Sequence, residues 1–149
     1  MLPLYVSYVA KFPNVSVNLK KMIFDYEVIK DQIKDGKFYL MKDNQYSKQA
    51  DLLDYTVNIV EYVRKSALFN TITYEVLSTN SALTWGSVRD KYSFHIPLIT
   101  NGGCWTVYEN NTFHLAADGT IYTVNKSNGH SFINAGPEPR VHLTLEMLE

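Results

Sequence analysis

From Phe69 onward the chain is cut into short segments of alternating hydrophobicity by turn-forming pairs, and this period of two constrains the fold more than any other feature. Asn110-Asn111, Asp118-Gly119 and Asn128-Gly129 are residue types that tolerate the tight turns of β-hairpins. Between such turns the pattern predicts strands at about 69–77, 91–99, 104–109, 112–117, 120–125, 129–135 and 139–147. Seven short strands at this spacing imply a mainly antiparallel sandwich or barrel and exclude repeated βαβ units. Upstream the period changes. After an opening strand over about 4–10, a helix capped at Asn14 or Ser16 is predicted to run to about Lys34, closed by Gly36. Lys37 to Met41 reads as a short extended piece. A second helix is predicted from Ser47 to about Ala67, with Leu52, Thr56, Ile59 and Val63 on one stripe and Leu53, Val60 and Ala67 beside it. The expectation is one α+β domain over residues 1–149, with a helical flank at 1–66 laid on a β core at 67–149. Leu52, Ile59, Val63, Phe94, Ile96, Leu98, Val141, Leu143 and Leu145 are its expected core.

Composition narrows the function. Hydrophobic residues are 46% of the chain and charged residues 19%, enough apolar content to fold a core and too little charge for a disordered segment. A net charge of −1 argues against nucleic acid as a partner. The single cysteine, Cys104, excludes an internal disulfide and any multi-thiolate metal site. No run of about 18 apolar residues predicts a membrane span, and Met1 to Ala10 lacks the basic and apolar regions of a signal peptide. A cytoplasmic protein, free of membrane, is the expectation; its oligomeric state is not read from sequence.

Three segments carry polar residues where a β core would hide them. In Tyr92-Ser93-Phe94-His95-Ile96-Pro97-Leu98, alternation puts Tyr92, Phe94, Ile96 and Leu98 on a face suited to pack under the helices, and turns Ser93, His95 and Pro97 towards a lumen. His130 shares a strand face with Phe132 and Asn134. In the last strand Val141, Leu143 and Leu145 face one way and Arg140, His142 and Thr144 the other. Spacing alone assigns none of these a role. An isolated strand histidine is ordinarily a hydrogen-bonded or solvated residue, and Arg140 and His142 would ordinarily face solvent. His114 is left structural.

The ordered combination His95-Ile-Pro-Leu-Ile-Thr-Asn, His130-Ser-Phe-Ile-Asn134-Ala-Gly136 and Arg140-Val-His142-Leu resembles the aspartyl/asparaginyl β-hydroxylase family, which is similar to the bacterial cis-proline hydroxylases and small phage-encoded relatives. The resemblance covers roughly residues 70–147. It implies a double-stranded β-helix, the cupin-like jelly roll, and a non-haem Fe(II)- and 2-oxoglutarate-dependent hydroxylase acting on an amino acid or a protein side chain. By the same resemblance His95 and His130 match the two iron-binding histidines and Arg140 the arginine that grips 2-oxoglutarate, with His142 pointing into the same cavity. Imidazole suits Fe(II), and a guanidinium fork pairs with a carboxylate as a lysine does not. His95 and His130 should then lie on neighbouring strands and share one ion.

The chain also departs from the pattern. Pro97 stands where most such oxygenases carry a carboxylate ligand, although the β-hydroxylase branch itself lacks that group. Some relatives place a second arginine where this chain has Cys104-Trp105-Thr106, and the segment from Thr84 to Asp90 contains no His-x-Asp. These departures support an alternative, a cupin-fold small-molecule-binding or assembly module without catalysis. A two-histidine phosphoesterase would draw on His142-Leu-Thr144 but needs a hydroxyl residue at Pro97. Either main reading expects a small molecule or a peptide as partner.

Overall fold

The computed structural model describes residues 8–88 and 91–148. Among the described residues eleven strands and two α-helices follow in the order β1 (Val9–Ser16), α1 (Leu19–Ile29), β2 (Lys37–Lys42), β3 (Gln45–Tyr46), α2 (Asp54–Arg64), β4 (Thr71–Leu77), β5 (Ser81–Ala82), β6 (Tyr92–Ile99), β7 (Cys104–Tyr108), β8 (Thr112–Phe113), β9 (Thr120–Asn125), β10 (His130–Asn134) and β11 (Arg140–Glu146). A seven-stranded sheet in the order β1-β9-β6-β11-β4-β2-β3 faces a four-stranded sheet in the order β5-β10-β7-β8. From β4 to β11 the chain passes back and forth between these antiparallel sheets. That winding is the expected double-stranded β-helix.

Alternation along the large sheet separates two environments. Phe94, Ile96 and Leu98 of β6, Val141, Leu143 and Leu145 of β11, and Ile72 and Tyr74 of β4 pack with Met22, Ile29, Val60 and Val63 of the helices. The opposite face of the same strands looks into the lumen between the sheets. There Leu77, Tyr122 and Val124 meet Tyr108, Leu115 and Phe132 in a smaller apolar cluster. Asp25, buried in α1, accepts from the Thr56 amide at 2.9 Å and the Thr56 hydroxyl at 2.7 Å, so α1 caps the first turn of α2.

Local chemistry moves several boundaries. The predicted strand at 4–10 lies largely outside the described residues, and β1 runs on to Ser16 through Pro13. Asn14 adopts a φ of 60° within the irregular stretch of β1, and Asn18 caps α1 by accepting from the Lys21 amide. The second helix begins at Asp54 because Lys48–Leu52 form a 3₁₀ turn first. That turn rotates Leu52 out to 64% exposure, correcting its expected burial; Leu53 fills the core, and Ile59 is only partly buried. The residues before Ser66 also supply β1, β2 and β3 to the large sheet. Asp43 and Asn44, both with positive φ, make the tight β2–β3 turn.

Pro97 sits within a strand flanked on both sides, where a missing amide would ordinarily be costly. Pairing with β9 ends at His95, and the register with β11 shifts between Val141 and His142, opposite Ile99 and Pro97. The irregularity, an extra residue at Leu98 on β6, sits beside the proline and accommodates it.

Candidate functional site

Arg140 and His142 leave β11 on the lumen face, beside Glu75 on β4 and His95 on β6. Arg140 is 2% exposed. Its Nη2 donates to Glu75 Oε1 at 2.6 Å, and its Nη1 donates to His142 Nδ1 at 2.5 Å. Its Nε is buried without a partner. Phe132 of the small sheet lies against the guanidinium, 5.4 Å from ring centroid to Cζ.

Hydrogen-bond logic assigns the tautomers of the two lumen histidines. A guanidinium only donates, so His142 Nδ1 is an acceptor. The 3.0 Å contact between His95 Nδ1 and His142 Nδ1 therefore takes its proton from His95. His95 Nε2 is then bare and accepts from the Ser93 hydroxyl at 3.0 Å. Burial holds both imidazoles well below their ordinary pKa, and the nearby Arg140 charge pushes them in the same direction. The result is a neutral chain of hydrogen bonds from Ser93 through His95 and His142 to Arg140.

His130 approaches from β10. Its Nδ1 bonds the Asn128 carbonyl at 2.8 Å, which puts that proton on Nδ1 and leaves Nε2 as the free lone pair. His95 and His130 line one cavity of about 200 Å³ together with Ser93, Phe132, Lys126 and Glu146. Lys126 and Glu146 form an ion pair across it. Lys37 and Glu75 also reach this cavity and face each other in register on β2 and β4.

The turn that delivers Arg140 is held by two asparagines. Asn134, fully buried, donates to the carbonyls of Leu77 at 3.0 Å and Glu138 at 2.8 Å and accepts from the Gly136 amide. Asn101 donates to the Glu138 carbonyl as well. Gly103 and Gly136 pass so closely that a Cβ on Gly103 would lie 2.4 Å from the Gly136 nitrogen. Asn134, singled out only as part of a pattern, positions the arginine. His114 bonds the Cys104 carbonyl, a structural role as expected.

The four residues expected at a site thus converge on the lumen, with one correction. His95 and His130 are not on neighbouring strands: β6 belongs to the large sheet and β10 to the small one, and the Phe132 ring touches both imidazoles at 5.1 and 5.8 Å between centroids. Both nitrogens of His95 are also committed to Ser93 and His142. The segment running beside His130 offers Leu83 and Thr84 to the cavity, and Gly86 exchanges both backbone hydrogen bonds with His130. None of these side chains is an imidazole or carboxylate. Among the described residues no three His, Cys, Asp or Glu side chains converge as a metal site. Of the two histidines expected at iron, His130 keeps an imidazole nitrogen without a hydrogen-bond partner and His95 does not, so the donor set does not fit a two-histidine iron seat at His95 and His130. Sequence reasoning missed Glu75, Lys126 and Glu146, and turned Ser93 to the lumen without giving it a role. A lone carboxylate in Thr71–Leu77 was the available signal for Glu75.

Comparison with known proteins gives a family by sequence and a fold by structure. The family model for aspartyl/asparaginyl β-hydroxylase matches residues 16–149. No curated protein matches the chain by sequence. Among solved structures, the chain is similar to a Trichoplax adhaerens prolyl hydroxylase in complex with a hypoxia-inducible-factor oxygen degradation domain peptide fragment (TM-score 0.64, 9% identity, 95% of this chain and 83% of that one). An oxidoreductase of the 2OG-Fe(II) oxygenase family from Burkholderia pseudomallei gives a TM-score of 0.62 at 11% identity, over 93% and 82%. A Pseudomonas putida prolyl-4-hydroxylase gives 0.59 at 8%, over 96% and 94%. At these identities the likeness is one of fold. No helix among the described residues is long and apolar enough to cross a membrane.

Proposed function

Since the chain belongs to the aspartyl/asparaginyl β-hydroxylase family, and so to the 2-oxoglutarate–Fe(II) oxygenase-type hydroxylases, we propose that it binds a small dicarboxylate of the 2-oxoglutarate class at Arg140 and holds it without a metal. One observation carries this reading: Arg140 is buried in the lumen with its Nε unpartnered, while both nitrogens of His95 are spent on Ser93 and His142. The anchor for a carboxylate is present, and the pair of free imidazoles for iron is not. The chain then acts as a ligand-binding module built on a hydroxylase fold.

Each lumen residue has a part in holding such a ligand. Arg140 supplies the charged fork, Phe132 covers its face, and the neutral His142 fixes its Nη1 end. Burial keeps water from screening the pair. Lys126 lines the cavity of about 200 Å³ on the other side of Glu75 and is the donor there for the ligand's second carboxylate. The Asn134 clasp keeps the turn before Arg140 in place.

Calorimetric titration with 2-oxoglutarate in metal-free buffer tests this. Wild type is expected to bind, and Arg140→Lys to bind at least about tenfold more weakly, because a lysine loses the two-point geometry. Equal affinities, or no heat from either protein, would overturn the reading. The family match favours a second reading, hydroxylation of an amino acid or protein side chain, in which Fe(II) when bound supplies the oxygen chemistry. Succinate released from 2-oxoglutarate only when Fe(II) is added would establish it.

A further inference from the structure

We propose that Glu75 is a built-in carboxylate that occupies the Arg140 fork and must move aside to Lys37 before an external carboxylate can bind. This deepens the carboxylate-binding reading of Arg140 and rests on it. The resident contact is incomplete. A guanidinium grips a carboxylate side-on through Nε–H and Nη2–H together, one to each oxygen. Glu75 reaches Nη2 with one oxygen at 2.6 Å, and the adjoining Nε is left buried and unpartnered. A small void of about 10 Å³, the size of one water or one oxygen atom, is lined by Arg140 and Thr100, and the Thr100 hydroxyl is also buried without a partner. A carboxylate delivered from elsewhere can place one oxygen where Glu75 now sits and the second on Nε. Glu75, fixed to β4, is held to one point.

The displaced side chain has somewhere to go. Lys37 is the register partner of Glu75 across the β2–β4 pair, is exposed, and lines the same cavity of about 200 Å³. Glu75 itself keeps 14% side-chain exposure, against 2% for Arg140, so its carboxylate already borders that cavity. Exchange of Arg140 for Lys37 leaves no charge buried alone once the ligand is seated. Glu75 thereby sets a threshold on what enters: a ligand must present a carboxylate that binds the fork better than the resident one. A neutral ligand or a cation does not displace it.

Two variants and two readouts test this. In Glu75→Gln and Glu75→Ala the competitor loses its charge, so affinity for 2-oxoglutarate in metal-free buffer is expected to rise at least about tenfold, the worth of one charge-assisted hydrogen bond. Formate is the second probe. Glu75→Ala leaves the guanidinium without its anion, so formate is expected to raise its thermal midpoint while leaving wild type and the Glu75→Ala/Arg140→Met double variant unmoved. If Glu75→Gln binds 2-oxoglutarate no more tightly than a wild type that does bind, the gate is overturned and the carboxylate-binding reading stands. Formate rescue of Glu75→Ala with no 2-oxoglutarate binding by any variant would uphold the seat and overturn that reading. An Ala variant that formate does not stabilise would overturn the gate.

Discussion

The two faces of the seven-stranded sheet are made from the same strands, one residue out of step, and they solve opposite problems. Towards the helices, Phe94, Ile96, Leu98, Leu143 and Leu145 bury apolar surface, where any side chain of similar volume and hydrophobicity serves. Towards the lumen, Ser93, His95, Arg140 and His142 are as deeply placed but polar, with Glu75 at their edge, and each depends on a specific partner. A lost contact on the first face leaves a cavity. On the second it leaves a buried charge or donor alone.

That contrast can be broken by mutation. Arg140→Met keeps most of the volume and removes the charge-assisted hydrogen bonds to Glu75 and His142, with an expected loss of about 3–5 kcal/mol in urea unfolding. Leu143→Ala on the other face is expected to cost about 2–5 kcal/mol by a different route, the cavity it opens. Double-variant cycles separate them: Arg140→Met couples to Glu75→Gln, and Leu143→Ala does not.

Acid sharpens the contrast further. The lumen imidazoles of His95 and His142 are held neutral in the folded protein, while in the unfolded chain they titrate near the ordinary value of 6.5. Below that pH the unfolded chain takes up protons that the folded one refuses, so stability falls as pH drops below about 6.5 and is unaffected by these groups above it. Each contributes a slope approaching about 1.4 kcal/mol per pH unit. His95→Gln is expected to remove about half of this slope, and Leu143→Ala none, when midpoints are followed by denaturant titration between pH 7 and 5. The smallest effect belongs to the exposed end of the flank: Leu52→Ser is expected to change stability by no more than about 0.5 kcal/mol.

The two faces also differ in how much of them is legible in sequence. Alternation in β6 and β11 identifies the helix-facing set correctly, because a half-period error would turn every apolar side chain into the polar lumen at once. The second helix is read less well. Its apolar positions fit two adjacent stripes, and the buried set of Leu53, Thr56, Val60, Val63 and Ala67 takes members of both, while a 3₁₀ turn at Lys48–Leu52 turns Leu52 out. On the lumen face, Arg140, His142, His95 and His130 stand out as residue types that a strand rarely buries. Their partners do not stand out. Glu75 is one carboxylate in a strand paired with β11 from 65 residues away, and no local pattern encodes that pairing. The resemblance placed His95 and His130 around one ion; the fold puts them on opposite sheets and gives His95 to Ser93 and His142.

The dependence of 2-oxoglutarate affinity on metal tests the central claim most directly. Calorimetry of the wild-type protein, with and without saturating Mn(II) as a redox-quiet stand-in for iron, is expected to give the same affinity in both conditions, because the anchor is Arg140 and His95 offers no free nitrogen. Binding that appears only with Mn(II), or tightens at least about tenfold when it is added, would contradict the account and return His95 and His130 to the role of metal ligands.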